Sequence, residues 1–125
     1  MTTGLEGRHV LIVEDESLVA MLLETILEDM GCRPVGPVGT VAEGLDMVAG
    51  AGPLDSALLD VNLAGHQVFP VARVLRDRGI PFVFSTGYGE GGLPDEWWGL
   101  PTVQKPFSQT AIREARMKAM GLEAV

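Results

Sequence analysis

Cysteine is almost missing from this chain. Cys32 stands alone, so an internal disulfide is excluded. Lying beside an apolar stretch, it reads as a small core residue rather than a reactive thiol. Basic residues are scarce as well: 9 Lys and Arg face 17 Asp and Glu, for a net charge of −8. Such a surface repels nucleic acid and anionic membrane, so neither is expected as a direct partner. The acidity also serves solubility. Long apolar runs are lacking, and Met1 to Arg8 has no apolar stretch of the kind a secretory signal carries. A cytoplasmic protein is the expectation. There is no internal repeat.

What is present suffices for one folded unit. The chain has 125 residues, 46% of them apolar. That argues against disorder and allows a single domain with a core of its own. With 16 glycines and 8 prolines, many tight turns are expected.

His9 to Val13 is a short continuous apolar run rich in β-branched residues, which predicts a buried strand. Ser17 is a candidate N-cap for a helix carrying Leu18, Leu22, Leu23, Ile26, Leu27 and Met30 at helical spacing, with Gly31 as its stop. Arg33 to Val38 contains Pro34 and Pro37, which cannot donate to a ladder, so this strand belongs at a sheet edge. Thr40 and Glu43 form a capping-box pattern before Val41, Leu45 and Val48. Ser56 to Val61 predicts a second buried strand, Asn62 to His66 a loop, and Gln67 to Arg78 a helix with Pro70 in its first turn. Ile80 to Phe84 predicts a third buried strand and Leu100 to Gln104 the last. Ser108 caps a final helix to about Met120.

Strands alternating with helices imply βαβ units, a parallel sheet and helices on both faces. The segment 87–99 breaks the alternation. It holds five glycines and a proline, so at most one helical turn, starting at Pro94, is expected there.

Several strands end in residues that carry chemistry. Val10 to Val13 runs into Glu14-Asp15, Ala57-Leu58-Leu59 into Asp60, and Val103-Gln104 into Lys105-Pro106-Phe107. Ligands of open parallel sheets sit beyond the carboxyl ends of the strands. Three carboxylates meeting there suit a divalent cation such as Mg²⁺. A carboxylate can also act as a nucleophile in phosphoryl chemistry. Lys105 would offer a point charge to phosphoryl oxygens, and Thr86 a hydroxyl donor in the same layer. Each signal alone has a plain alternative. Glu14-Asp15 suits the positive end of a helix, Asp60 a turn, Lys105 the solvated surface, and Thr86 a solvated strand end. His66 reads as a solvated loop histidine.

Together, in this order at the ends of four strands, Glu14-Asp15, Leu58-Leu59-Asp60-Val61-Asn62, Ser85-Thr86-Gly87 and Lys105-Pro106-Phe107 resemble the receiver domain of two-component response regulators. The resemblance spans His9 to about Met120. The stretch Pro81-Phe82-Val83-Phe84-Ser85-Thr86-Gly87-Tyr88 is similar to the Phe-Ala-Thr-Gly motif subgroup of alphaproteobacteria, with Ser85 in place of alanine. The resemblance implies a flavodoxin-like, doubly wound α/β fold with five parallel strands in the order 2-1-3-4-5. It implies a phosphoacceptor at Asp60, with Thr86 and Lys105 binding the phosphoryl oxygens. It also implies an Mg²⁺ site made by Glu14, Asp15, Asp60 and the Asn62 backbone carbonyl. Phosphate would come from a sensor histidine kinase or a histidine phosphotransfer protein, and the bond before Pro106 would be cis. The expected function is a stand-alone receiver over residues 1–125 with no output domain. It would signal through altered contacts with a downstream protein or drain phosphate from a kinase. It would be a signalling protein rather than an enzyme, although it would assist its own phosphorylation and dephosphorylation.

Two positions depart from the family pattern. Thr102 stands three residues before Lys105, where most receivers carry an aromatic residue. The glycine-rich segment stands where a fourth helix would be, so that helix is expected to be short or irregular. The two departures predict a loop-like signalling surface that orders on phosphorylation. Trp97 and Trp98 lie in it, and core filling by one and an exposed partner anchor from the other is the expectation. Two other functions would use part of this pattern. An Mg²⁺-dependent phosphohydrolase would usually carry an acid where Asn62 stands and would need a cap domain. A phosphorylation-independent adaptor would not need the full set of acids, threonine and lysine.

Overall fold

Val10 to Val13, Ala57 to Leu59 and Val83 to Phe84 are apolar at every position, so their strands must be covered on both faces. The computed structural model, which describes residues 7–50, 52–87, 93–105 and 107–121, shows this arrangement. Strands β1 (His9–Val13), β2 (Arg33–Val38), β3 (Ser56–Asp60), β6 (Phe82–Thr86) and β7 (Thr102–Gln104) form one parallel sheet in the order β2-β1-β3-β6-β7. Counted within that sheet, this is the expected order 2-1-3-4-5. Two short strands, β4 (Asn62–Leu63) and β5 (His66–Gln67), pair antiparallel as a separate hairpin. The helices are α1 (Ser17–Asp29), α2 (Val41–Gly50), α3 (Phe69–Asp77) and α4 (Gln109–Ala119).

The sheet separates two cores. On one side Leu11, Val13, Leu59 and Phe84 pack with the buried faces of α2 and α3. On the other, Val10, Ile12, Leu58 and Val83 pack against Leu23, Ile26 and Leu27 of α1 and Ile112 and Ala115 of α4. Cys32 is buried in the second core. At Gly44 the two helices of the first core come close, since a Cβ there would lie 3.0 Å from a Val71 methyl.

The caps follow the sequence with one correction. Met30 ends α1, and Gly31 follows at φ +80. Gly31 N–H donates to the Glu28 carbonyl and Cys32 N–H to the Leu27 carbonyl, both at 2.9 Å, which makes a Schellman motif. Glu43 N–H donates to Thr40 Oγ1 at 3.1 Å, and the Glu43 carboxylate reaches back to Thr40 Oγ1 and Gly39 N–H. Ser108 caps α4 through Ala111 N–H at 3.0 Å. Ser17, however, is not an N-cap. Glu16 takes that place with extended backbone and no side-chain cap, and its N–H donates to Glu14 Oε2 at 3.2 Å. Glu14 therefore holds the entry to α1.

Other boundaries moved by one or two residues. Ile80 N–H closes the end of α3 on the Leu75 carbonyl, and Pro81 has no N–H to give. The strand expected from Ile80 therefore starts at Phe82 and ends at Thr86. The helix expected from Gln67 starts at Phe69, with Pro70 in its first turn as expected. Asn62 to His66, expected as a loop, lies mostly within the β4–β5 hairpin. Ala64 (φ 50) and Gly65 (φ 90) make its two-residue turn, the left-handed pair that matches strand twist.

In place of a fourth full helix, the described residues hold one 3₁₀ turn, Asp95–Trp97, preceded by Pro94. Trp97 is fully buried. Its ring stacks on Phe69 at 5.9 Å and 13° and meets Phe82 and Phe84 edge-on at 5.8 and 5.6 Å. Arg76 lies 4.7 Å over its outer face, and Glu96 pairs with Arg73 at 3.1 Å and Arg76 at 3.5 Å. One indole thus fills the volume that a longer helix would cover. Trp98 is 57% exposed, with its N–H bonded to the Leu93 carbonyl at 2.7 Å. Among the described residues no helix is long and apolar enough to cross a membrane.

Candidate functional site at the carboxyl edge of the sheet

Parallel register brings the strand ends together. β1 runs beside β3, and Asp60 is the register partner of Ser85, one residue before Thr86. Lys105 follows β7, and its N–H donates to the Thr86 carbonyl at 3.1 Å. Glu14, Asp15, Asp60, Thr86 and Lys105 therefore share one edge.

Carboxylate oxygens of Glu14, Asp15 and Asp60 lie within 4.8 Å of one another. Glu14 and Asp60 are buried, whereas Asp15 is exposed. Lys105 Nζ stands 3.2 Å from Glu14 Oε1 and 3.4 Å from Asp60 Oδ2. The contact to Glu14 is an ion contact without hydrogen-bond alignment, so Glu14 Oε1 is a buried acceptor with no hydrogen bond. Burial pushes the Glu14 carboxyl up to about 7, with the neighbouring Asp60 carboxylate adding to it and the Glu16 N–H opposing. Burial disfavours the Lys105 ammonium, but Asp60 and then Glu14 outweigh it and hold the group above its ordinary range. One ammonium thus serves two carboxylates, Glu14 and Asp60, with Asp15 alongside.

Asn62 sits two residues past Asp60 and donates its N–H to Asp60 Oδ1 at 3.4 Å. Its side-chain oxygen accepts from Gly65 N–H at 3.0 Å, which ties the hairpin turn. Thr86 is buried at the end of β6. A cavity of about 330 Å³ opens over Asp60 and Thr86, with Asn62 and Gln67 on its wall. Gln67 was not among the residues singled out in the sequence; the Ala64-Gly65 pair was the available sign of a hairpin that would bring it there. His66 is exposed on that hairpin. A larger groove of about 460 Å³ lies at the opposite end of β6, lined by Pro81, Phe82 and Pro101, and contains none of these residues. Thr102 lies in β7, partly buried, so the described structure has no aromatic side chain at that position. Pro106 and the peptide bond before it, and residues 88–92 of the glycine-rich segment, lie outside the described residues.

Fold and site together define a flavodoxin-like α/β domain with an acidic pocket at its carboxyl edge. No family model matches the chain. It is similar to SdrG from Sphingomonas melonis Fr1, with 41% identity over 98% of both chains and a TM-score of 0.76. A BeF3-activated conformation of SdrG gives 43% identity, 90% and 95% coverage and a TM-score of 0.77. The receiver domain of the Erythrobacter litoralis response regulator PhyR gives 27% identity over 98% and 96% of the chains, with a TM-score of 0.80. The regulator PhyR of Methylorubrum extorquens is 32% identical over 90 residues, 70% of this chain. The chain spans about a third of that PhyR's length (34%). The chain belongs to the receiver-domain family of response regulators and is of the SdrG and PhyR type.

Proposed function

We propose that this receiver accepts a phosphoryl group on Asp60 from a histidine kinase or a histidine phosphotransfer protein. The observation that carries the reading is the placement of the Asp60 carboxylate. It is 3.4 Å from Lys105 Nζ, at the floor of a cavity also walled by Thr86, with two further carboxylates alongside. An Asp60 oxygen bonds to phosphorus as the N–P bond of the phosphohistidine breaks, and the released imidazole takes a proton from water. Lys105 and the Thr86 hydroxyl receive the phosphoryl oxygens and stabilise the charge spread over them.

The residues suit Mg²⁺. Three oxygen donors converge, and Glu14 Oε1 is buried without a hydrogen bond, which is the donor set this hard cation takes. Glu14, Asp15, Asp60 and the Asn62 carbonyl would hold it. When bound, the ion supplies positive charge to the carboxylates and to the transferring phosphoryl group. The chain's own contribution is orientation and the fixed ammonium of Lys105.

The aspartyl phosphate adds about −1.5 to −2 charge at the edge of the sheet. Thr86 leads directly into Gly87, so closure of Thr86 on the phosphoryl group changes the surface offered to a downstream protein. The test is phosphotransfer from candidate kinases to this protein and to Asp60→Asn, with and without Mg²⁺. Transfer that needs both Asp60 and Mg²⁺ supports the reading. Equal transfer to Asp60→Asn overturns it.

A further inference from the structure

The β4–β5 hairpin places one more polar side chain over the reacting centre. Asn62 and Gln67 are register partners, directly opposite each other at its base. The base is closed by Val68 N–H bonding to the Val61 carbonyl at 3.0 Å. The turn is fixed by Ala64 and Gly65 and by the Asn62 side chain. Gln67 thus has a defined position, and it lines the cavity that contains Asp60 and Thr86.

The two carboxamides at this wall are not equivalent. The Asn62 oxygen is already engaged by Gly65 N–H. Gln67 makes no side-chain hydrogen bond among the described residues and is exposed towards solvent. At about 330 Å³ the cavity is larger than a phosphoryl group requires. A water occupies roughly 30 Å³ of liquid volume, so solvent fits beside the phosphoryl group. A neutral carboxamide can accept a hydrogen bond from such a water while donating to a phosphoryl oxygen. Positioning a water for attack on phosphorus is a recognised task of a glutamine in phosphoryl transfer.

We infer that Gln67 orients the water that hydrolyses the Asp60 phosphate, and so sets the lifetime of the signal. The inference rests on Asp60 being the phosphoacceptor. In the step, the water oxygen bonds to phosphorus and the Asp60 oxygen–phosphorus bond breaks. Asp60 leaves as a carboxylate, and both water protons remain with the product dihydrogen phosphate. Gln67 touches the attacking water and exchanges no proton overall.

The experiment uses the full chain, phosphorylated with acetyl phosphate and Mg²⁺, freed of donor and followed as it decays. Gln67→Met keeps length and loses hydrogen bonding, and Gln67→Ala removes the side chain. In both, the aspartyl phosphate should decay on the order of 10-fold more slowly, the loss expected for one hydrogen bond in the transition state. The thermal midpoint should not change while the decay slows, a combination that a merely structural role would not give. His66→Ala, the neighbour on the same strand whose side chain points to the other face, should decay like the parent. Decay of both Gln67 variants at the parent rate, with label still on Asp60, overturns the inference and leaves the phosphoacceptor reading intact. Failure to label the parent, or labelling that survives Asp60→Asn, overturns both.

Discussion

The two ends of this sheet each bury charge, and they do so in opposite ways. At the carboxyl end three acids meet one ammonium, and the surplus is negative. At the amino end α4 carries Arg116, 1% exposed, to the start of β3 and the entry to β2. Its guanidinium donates to Cys32 Sγ at 3.0 Å and Ser56 Oγ at 3.3 Å, and its Nε has no acceptor. Among the described residues no carboxylate pairs with it. A buried charge on its own therefore does not mark a functional site. The carboxyl end differs in having an exposed acid, Asp15, and a cavity beside the imbalance, so that an ion or phosphoryl group can reach it. At the amino end the same kind of imbalance is sealed between helix and sheet, where an apolar side chain would serve as well.

That contrast can be broken by substitution. The largest effect is expected from Arg116→Ala, which empties a fully buried volume and should cost about 3 kcal/mol in urea unfolding. Arg116→Met fills the volume without charge and should be neutral or stabilising. If Arg116→Met is as damaging as Arg116→Ala, the guanidinium does more than fill space and the contrast fails.

The next effect is a pH dependence of the carboxyl end alone. The folded Glu14 carboxyl lies at about 7, above its ordinary 4.5. Below pH 4.5 it is protonated in both states. Between 4.5 and 7 the unfolded chain ionises it while the fold keeps the proton, so stability falls with rising pH by up to about 3 kcal/mol and then levels off. Glu14→Gln should remove that slope in urea titrations across the range. A divalent cation displaces the proton, so stabilisation by Mg²⁺ should grow as pH rises through about 7. A Mg²⁺ effect independent of pH contradicts the assignment of Glu14.

Lys105→Met removes the ammonium from Asp60 and Glu14. Because the side chain is 25% exposed, solvent limits the loss to about 2 kcal/mol without divalent cation, and Mg²⁺ should recover part of it. A neutral outcome, as expected for Arg116→Met, would make the two ends equivalent. The smallest effect probes the helix that connects them. Ser108→Ala removes the cap of α4 and should cost about 1 kcal/mol by thermal unfolding, with no change in the Mg²⁺ response.

Much of the carboxyl end was legible in the sequence, because continuous apolar runs ending in Asp60, Glu14-Asp15 and Lys105 place charge where such strands must stop. The sheet order came from the family resemblance, together with the edge prolines of Arg33–Val38. The irregular fourth helix was legible from its glycines, and among the described residues a 3₁₀ turn over Asp95–Trp97 stands there. The hairpin was not legible. Strands of two residues give no alternation to detect, and so Gln67 was assigned to a helix. Ser17, a good capping residue, loses to Glu16 because Glu14 already holds the Glu16 N–H, a contact that spacing does not show. Arg116 follows Ile112 by four residues and so shares its inward face. A cation at a core position has no sequence signature until the two residues it touches, Cys32 and Ser56, are brought beside it by the fold.

The central claim is that phosphoryl chemistry at the carboxyl end passes through Asp60. It is tested most directly by incubating the protein with acetyl phosphate and Mg²⁺, trapping the acyl phosphate with borohydride and mapping the modified residue by peptide mass spectrometry. A single modified site at Asp60, lost when Mg²⁺ is chelated and in Asp60→Asn, is the predicted result. Modification elsewhere with Asp60 untouched, or none with Mg²⁺ and acetyl phosphate in excess, would contradict the account.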